Sequence, residues 1–190
     1  IGLFMLFPMI YSIIDNENTT FSFFVSFLLL SVVGWSIYFV LKSKQKDIDK
    51  NISIRDGFII VTFAWIVTII SGTLPYLISG AIPDFTDAFF ESASGFTTTG
   101  SSILSDIEKL PKSILLWRSL THWIGGVGIV VIALSIMPIL GVAGMQLFKA
   151  ETPGPTTDKL SPRIKETARI IGIVYLIITT FIVILYLLVG

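Results

Sequence analysis

Cysteine is absent from the 190 residues and histidine occurs once, at His122. The first absence removes disulfides, thiolate metal sites and cysteine nucleophiles together; the second leaves no pair of imidazoles to build a metal centre. Charge is scarce as well. Asp, Glu, Lys and Arg make up 14% of the chain, against about a quarter in an ordinary soluble domain. The sequence contains neither an HExxH metal site nor a phosphate-binding glycine loop. What remains is oxygen chemistry in a chain that is 53% hydrophobic. It reads as an all-α membrane protein surrounded by lipid, with no cofactor and no nucleic-acid partner.

Crossing a hydrocarbon core of about 30 Å takes roughly 20 predominantly apolar residues in a helix. Residues 1–14 supply a partial span, Phe21 to Leu41 a full one, Phe58 to Ser79 another and Ile170 to Val189 the last. Leu115 to Phe148 is too long for one straight crossing at about 1.5 Å per residue, so it has to bend. Gly125, Gly126, Gly128, Pro138, Gly141 and Gly144 offer the places, Pro by removing a helix hydrogen bond and Gly by weakening the helix locally. The opening "IGLFMLFPMIYSII" has no initiator Met, no basic leader and no small-residue cleavage site, so a signal peptide is not expected. With "YLLVG" at the other end, the chain is expected to be part of a longer polypeptide.

Orientation follows from Lys and Arg near the span ends. Lys42, Lys44, Lys46, Lys50 and Arg55 lie in one connection, and Lys149, Lys159, Arg163, Lys165 and Arg169 in another; together they hold ten of the thirteen basic residues. The alternate connections carry Asp15 and Glu17, then Asp84, Asp87, Asp106 and Glu108. Both criteria put the first residues on the cytoplasmic side and the region from Asp84 to Lys109 outside.

That outer region contains "ESASGFTTTGSSILSD", with five hydroxyls and two glycines in the eight residues from Ser94 to Ser101. Pro83 and Asp84 suit a helix start, with Asp87 in the first turn facing the positive end of the macrodipole. Phe85, Ala88, Phe89, Ser92 and Ala93 continue at helical spacing. The segment is too short and too acidic to span, so it reads as a re-entrant half-helix. Irregular backbone at membrane depth is tolerated only where protein buries it or a watery cavity receives it. A hydroxyl run closed by Gly100 can point successive carbonyls one way, with Gly100 in backbone angles closed to other residues, and a ring of such oxygens can replace the hydration shell of an alkali cation. The half-helix would turn its negative end to the same place. A plain polar turn is the competing reading; the order span, half-helix, hydroxyl loop, span favours the filter.

The strings "FFESASGFTTTGSS", "WRSLTHWIGGVGI", "AETPGP" and "SPRIKETARI" resemble the membrane subunit of Trk-type potassium uptake systems, in the superfamily that includes Ktr and HKT transporters. The likeness is dense from Asp84 to Arg169 and architectural elsewhere, and the two extra spans in residues 1–41 look more like Trk than Ktr. The resemblance implies a pore of four units in one chain, each with an outer helix, a pore half-helix with filter loop, and an inner helix. Residues 1–55 would form an N-terminal two-span hairpin with its basic cytoplasmic loop. Residues 56–148 would be the first pore unit: outer helix Phe58 to Ser79, pore half-helix Asp84 to Gly95, filter Thr98 to Ser101, inner helix Leu110 to Phe148. Residues 149–169 would be a cytoplasmic loop and 170–190 the outer helix of the second unit. The filter glycine maps to Gly100, and potassium-coordinating carbonyls to Thr98, Thr99 and Gly100 with Ser101 beside them. The resemblance further implies a bacterial inner-membrane location, a homodimer, and a cytosolic nucleotide-binding regulatory subunit at the basic face. One filter loop supplies a quarter of a ring, so conduction requires the remaining pore units of the same chain or, alternatively, a homotetramer.

Other residues carry two readings each. Glu91 and Arg118 either pair behind the filter and support it, or stand apart, Arg118 at the outer interface and Glu91 facing a wet vestibule. His122, beside Trp123, reads as a packing or interface residue before a proton relay. Gly125, Gly126 and Gly128 read as close-packing positions before a gating hinge. Trp117 and Trp123 suit either an interface belt or burial against the pore helix. An intramembrane enzyme using Glu91, His122 or Arg118 is the weak alternative, since no nucleophile is accompanied by its base, and none is expected here.

Overall fold

A computed structural model describes residues 1–44, 54–129 and 160–189. All regular structure among the described residues is helical. A 3-10 turn, Gly2–Met5, leads into α1 (Leu6–Ile14); α2 (Thr20–Lys44), α3 (Ile54–Ser79) and α4 (Phe85–Phe96) follow, then a 3-10 turn, Ile107–Lys109, α5, described over 112–129, and α6 (Leu160–Val189). The chain forms two compact units, Ile1–Gly125 and Gly126–Gly190.

Three helices are long and apolar enough to cross a membrane, over Thr20–Lys42, Phe58–Ser79 and Arg169–Val189, each within a residue of the span read from the sequence. The helices overrun those spans. α6 already begins at Leu160, so the second half of the basic connection is helical. Hydropathy marks where apolar residues stop, whereas a helix continues until something breaks it. In "LSPRIKETAR" the only proline lies in the first turn, where its missing N–H is harmless, and Arg, Lys, Glu and Ala are good helix formers. The remainder of the inner helix expected to Phe148, including Pro138, Gly141 and Gly144, lies outside the described residues.

Along α2 and the first half of α3, large apolar side chains such as Val32, Phe39, Phe63 and Val67 are exposed, the all-round apolar surface of a helix that meets lipid or other membrane helices rather than water. The buried core gathers residues from four helices. Phe23 of α2, Tyr76 of α3, Phe96 of α4, and Ile114 and Trp117 of α5 are all at most 1% exposed. Trp117 stands edge-on to Phe23 at 6.4 Å and donates from Nε1 to Gly72 O at 3.1 Å. It is therefore a packing residue with its indole N–H satisfied, and no interface anchor. Trp123, half-buried, has its ring 6.3 Å from that of Phe4.

The turn between α1 and α2 holds the start of α5. Glu17 Oε1 accepts from Lys112 N at 2.7 Å, and Oε2 accepts from Ser113 N at 3.1 Å and from Thr19 Oγ1 at 3.2 Å. Thr19 and Ser113 join through their hydroxyls at 2.6 Å, and Ser12 shares hydrogen bonds with Thr19 and Thr20 at 2.8 Å. The 15–19 turn and the beginning of α5 are therefore held together by hydrogen bonds.

α5 also touches the end of α4 backbone to backbone. A Cβ added at Gly125 would stand 2.7 Å from Phe96 C and 2.9 Å from its Cα, closer than real side chains approach, so only glycine allows this crossing. Gly126, in the second unit, fits under Tyr175, whose Cζ a Cβ there would meet at 3.4 Å. Gly128 is helical and half-buried. Close packing is the part the first two glycines play among the described residues. Gly125→Ala should destabilise the protein by about 1–3 kcal/mol through overpacking, read as a lowered Tm in detergent, whereas Gly34→Ala, where a Cβ meets open space, should not lower it.

Candidate functional site

α4 starts where the sequence places a cap. Asp84 Oδ1 accepts from Thr86 N at 2.8 Å and Asp87 N at 3.1 Å, which satisfies two of the helix's orphan donors and contributes about 1 kcal/mol. Twelve residues later the helix ends at Phe96, far too short to cross. Ser92 Oγ donates to Ile69 O at 2.7 Å, fastening the helix to α3.

Its last turn becomes the loop. Thr99 N donates to Ser94 O at 3.0 Å and Thr98 N to Gly95 O at 2.9 Å, the paired bonds of a Schellman motif, which requires left-handed backbone at the residue following the cap. That residue is Thr98, with φ +58°. A β-branched residue there is an outlier, held against a cost of roughly 1–2 kcal/mol. Gly100 also lies at positive φ, +77°, as the sequence led us to expect; Thr98 was not foreseen, because a threonine gives no hint of it. The neck of the loop is closed by Ser94 Oγ, donating to Ser101 O at 2.5 Å.

The consequence is a sorting of carbonyls. Those of Ala93, Ser94 and Gly95 accept from Thr97, Thr99 and Thr98 N–H groups, and Thr97 O accepts from Thr98 Oγ1 at 2.7 Å. Ser101 O is engaged by Ser94. Among the described residues, the carbonyls of Thr98, Thr99 and Gly100 accept nothing, and residues 97–100 are exposed. Three successive residues thus keep their oxygens for another partner.

Behind the loop lies a charge. The Glu91 side chain is 1% exposed; Arg118 Nε stands 2.5 Å from its Oε1. Ser102 Oγ donates to the same carboxylate at 2.9 Å from Oε2, and Ile103 N donates to Oε2 at 3.2 Å. Glu91 and Arg118 are therefore brought together and do not stand apart. The carboxylate also holds the chain as it leaves the loop, a part in which Ser102 and the Ile103 amide went unread. Ser102 directly follows the hydroxyl run, but only a fold could join it to Glu91. His122 Nδ1 lies 2.8 Å from Arg118 O, one turn back in its own helix, a satisfied position in a helix. Among the described residues no group of His, Asp or Glu is placed to hold a metal by side chains.

The family model for TrkH, described as cation transport protein, matches residues 12–189. The chain belongs to this family. The Trk system potassium uptake protein TrkH of Vibrio parahaemolyticus is 40% identical over 178 residues, covering 92% of this chain and 36% of that protein. The TrkH of Escherichia coli is 39% identical over the same length, and the E. coli Trk system potassium uptake protein TrkG is 35% identical over 191 residues, covering 39% of its length. The crystal structure of the potassium transporter TrkH from V. parahaemolyticus superposes with a TM-score of 0.73 at 34% identity, covering 92% of this chain and 34% of that one. The chain thus spans little more than a third of the TrkH relatives it matches. It is an all-helical membrane protein of the TrkH fold, built around an outer helix, a pore half-helix and an inner helix.

Three substitutions test the site. Breaking a buried pair strands a charge, so Arg118→Gln should destabilise by about 3 kcal/mol, and the double change Glu91→Gln with Arg118→Gln by clearly less than the sum of the two single changes, read from Tm in a double-mutant cycle. Thr98→Gly should remove the backbone strain and raise stability by about 1 kcal/mol, read as a raised Tm in detergent.

Proposed function

We propose that this chain is the N-terminal part of the ion-conducting subunit of a potassium uptake system, carrying one of four filter loops. The observation that carries the reading is the row of free carbonyls at Thr98, Thr99 and Gly100, presented at the end of a helix too short to span. A dehydrated alkali cation needs several oxygens at once, and three residues per unit in a fourfold arrangement supply them. The other three such units come from the remainder of the same polypeptide. Residues 56–148 are the first unit, and 170–190 begin the second as its outer helix. The printed names of the relatives, Trk system potassium uptake proteins, support potassium as the cargo.

Glu91 and Arg118 act in this reading as the filter's support. The carboxylate faces away from the ion path, and its charge is neutralised locally by Arg118, so it neither traps the cation nor repels it. Ser101 contributes to the ring less than its three predecessors, because its carbonyl is already engaged. The hinge reading of Gly125, Gly126 and Gly128 is secondary to their packing. The protein works in a bacterial inner membrane with its N-terminus cytoplasmic, as a homodimer, and residues 149–169 receive a cytosolic nucleotide-binding regulatory subunit. The positive-inside distribution of Lys and Arg supports that orientation.

Gly100→Asp is the direct test. At φ +77° a side chain is strained even though the space beside it is open, and a carboxylate beside the ring would bind cations too well to release them. In cells lacking their own potassium uptake, the native polypeptide with this change should lose rubidium uptake or its preference for rubidium over sodium. Unchanged uptake and selectivity would overturn the reading.

A further inference from the structure

α5 begins without a cap of its own. The residues before it are Leu110 and Pro111, and neither side chain carries an oxygen to accept from the first free N–H groups, which a helix start leaves without partners. The two acceptors come instead from Glu17, ninety-five residues earlier, whose carboxylate takes Lys112 N and Ser113 N with one oxygen each. An anion at this end also suits the helix dipole. Six residues further along the same helix is Arg118, and Arg118 holds Glu91, which in turn holds Ser102 Oγ and Ile103 N on the strand of chain leaving the filter. Every link from the α1–α2 turn to the filter exit is therefore a hydrogen bond, an ion pair or a rigid helix turn.

We propose that Glu17 is a positioning residue for the filter: it fixes where α5 starts, and thereby where Arg118 and Glu91 hold the segment that follows Gly100. The N-terminal hairpin, which contributes no oxygen to the ion path, is thus part of the machinery that shapes it. This inference rests on the ion-conduction reading for its consequence in transport, though not for the mechanical coupling itself.

The coupling is sensitive to acid on the side where Glu17 lies. Partial burial pushes the Glu17 carboxyl up, but the hydrogen bonds from Ser113, Lys112 and Thr19 outweigh it and hold the group below the ordinary carboxylate range. A lowered value means that the cap is intact above that range and is lost only as the pH falls through the lowered value. The charged group that acts on it is Lys112 of α5, whose ammonium also interacts with Tyr11 and lies 3.1 Å from Asp15 of the hairpin.

Amide hydrogen exchange of the purified native polypeptide, wild type against Glu17→Gln, tests the proposal. Exchange should rise roughly tenfold, the scale of a lost cap, in 112–118 and also in 101–104. Asp15→Asn, which removes the neighbouring exposed ion pair and leaves the cap, should change neither. Faster exchange confined to 112–118, with 101–104 as in wild type, would overturn the proposal. In transport, Glu17→Gln should raise the half-saturating rubidium concentration several-fold with little change in maximal rate. The rise of that concentration in acid should be present in wild type and absent in the variant; an identical pH profile in both would also overturn it. A wild-type polypeptide that takes up no rubidium would refute the ion-conduction reading, and the exchange result would still decide the role of Glu17.

Discussion

The structure turns on one buried carboxylate. Glu91 sits on a helix that ends inside the membrane, and a charge there is tolerated only when it is paired and its remaining oxygens are occupied. Arg118 supplies the counter-charge from the inner helix, while Ser102 Oγ and the Ile103 amide fill the rest. Three pieces of chain that approach from different directions are thereby held at one point: the half-helix, the exit of the loop and the inner helix. Close packing completes the arrangement, with Gly125 against the Phe96 backbone and Trp117 bonded to Gly72 O. Neither contact would form if the helices stood an ångström further apart.

This support makes a strained loop possible. Thr98 in left-handed backbone and Gly100 at positive φ would relax in an isolated peptide. The Schellman bonds and the Ser94 to Ser101 closure consume the carbonyls on either side and leave those of Thr98, Thr99 and Gly100 unengaged among the described residues. The helix end contributes in a way the sequence did not suggest. Its terminal carbonyls, those of Ala93, Ser94 and Gly95, are spent on shaping the loop. The negative end of the dipole still lies there, but the oxygens offered belong to the loop.

How much of this could be read beforehand depended on the range of the interaction. The spans were legible to within a residue because apolar length is a property of the local chain, and so was the start of α4, where Asp84 announces its cap. Gly100 was legible because glycine at the close of a hydroxyl run signals unusual backbone. Thr98 was not, since its conformation is imposed by the helix end before it. The Glu91 and Arg118 pair stood as one of two readings, because charge scarcity shows that intramembrane charges need partners without saying which partner lies near. Glu17 remained a generic outer acid. Its role depends on Leu110 and Pro111 leaving α5 without a cap, and a missing local cap becomes visible only once the distant residue that replaces it is seen.

In the proposed reading, the loop held by Glu91 presents backbone oxygens to a dehydrated cation. Anomalous diffraction from crystals of the native polypeptide soaked in rubidium examines those oxygens themselves. A rubidium peak is expected on the pore axis within coordinating distance of the carbonyls of Thr98, Thr99 and Gly100, with the Glu91 and Arg118 pair intact behind them. A loop of the same geometry with no rubidium at those oxygens would contradict it.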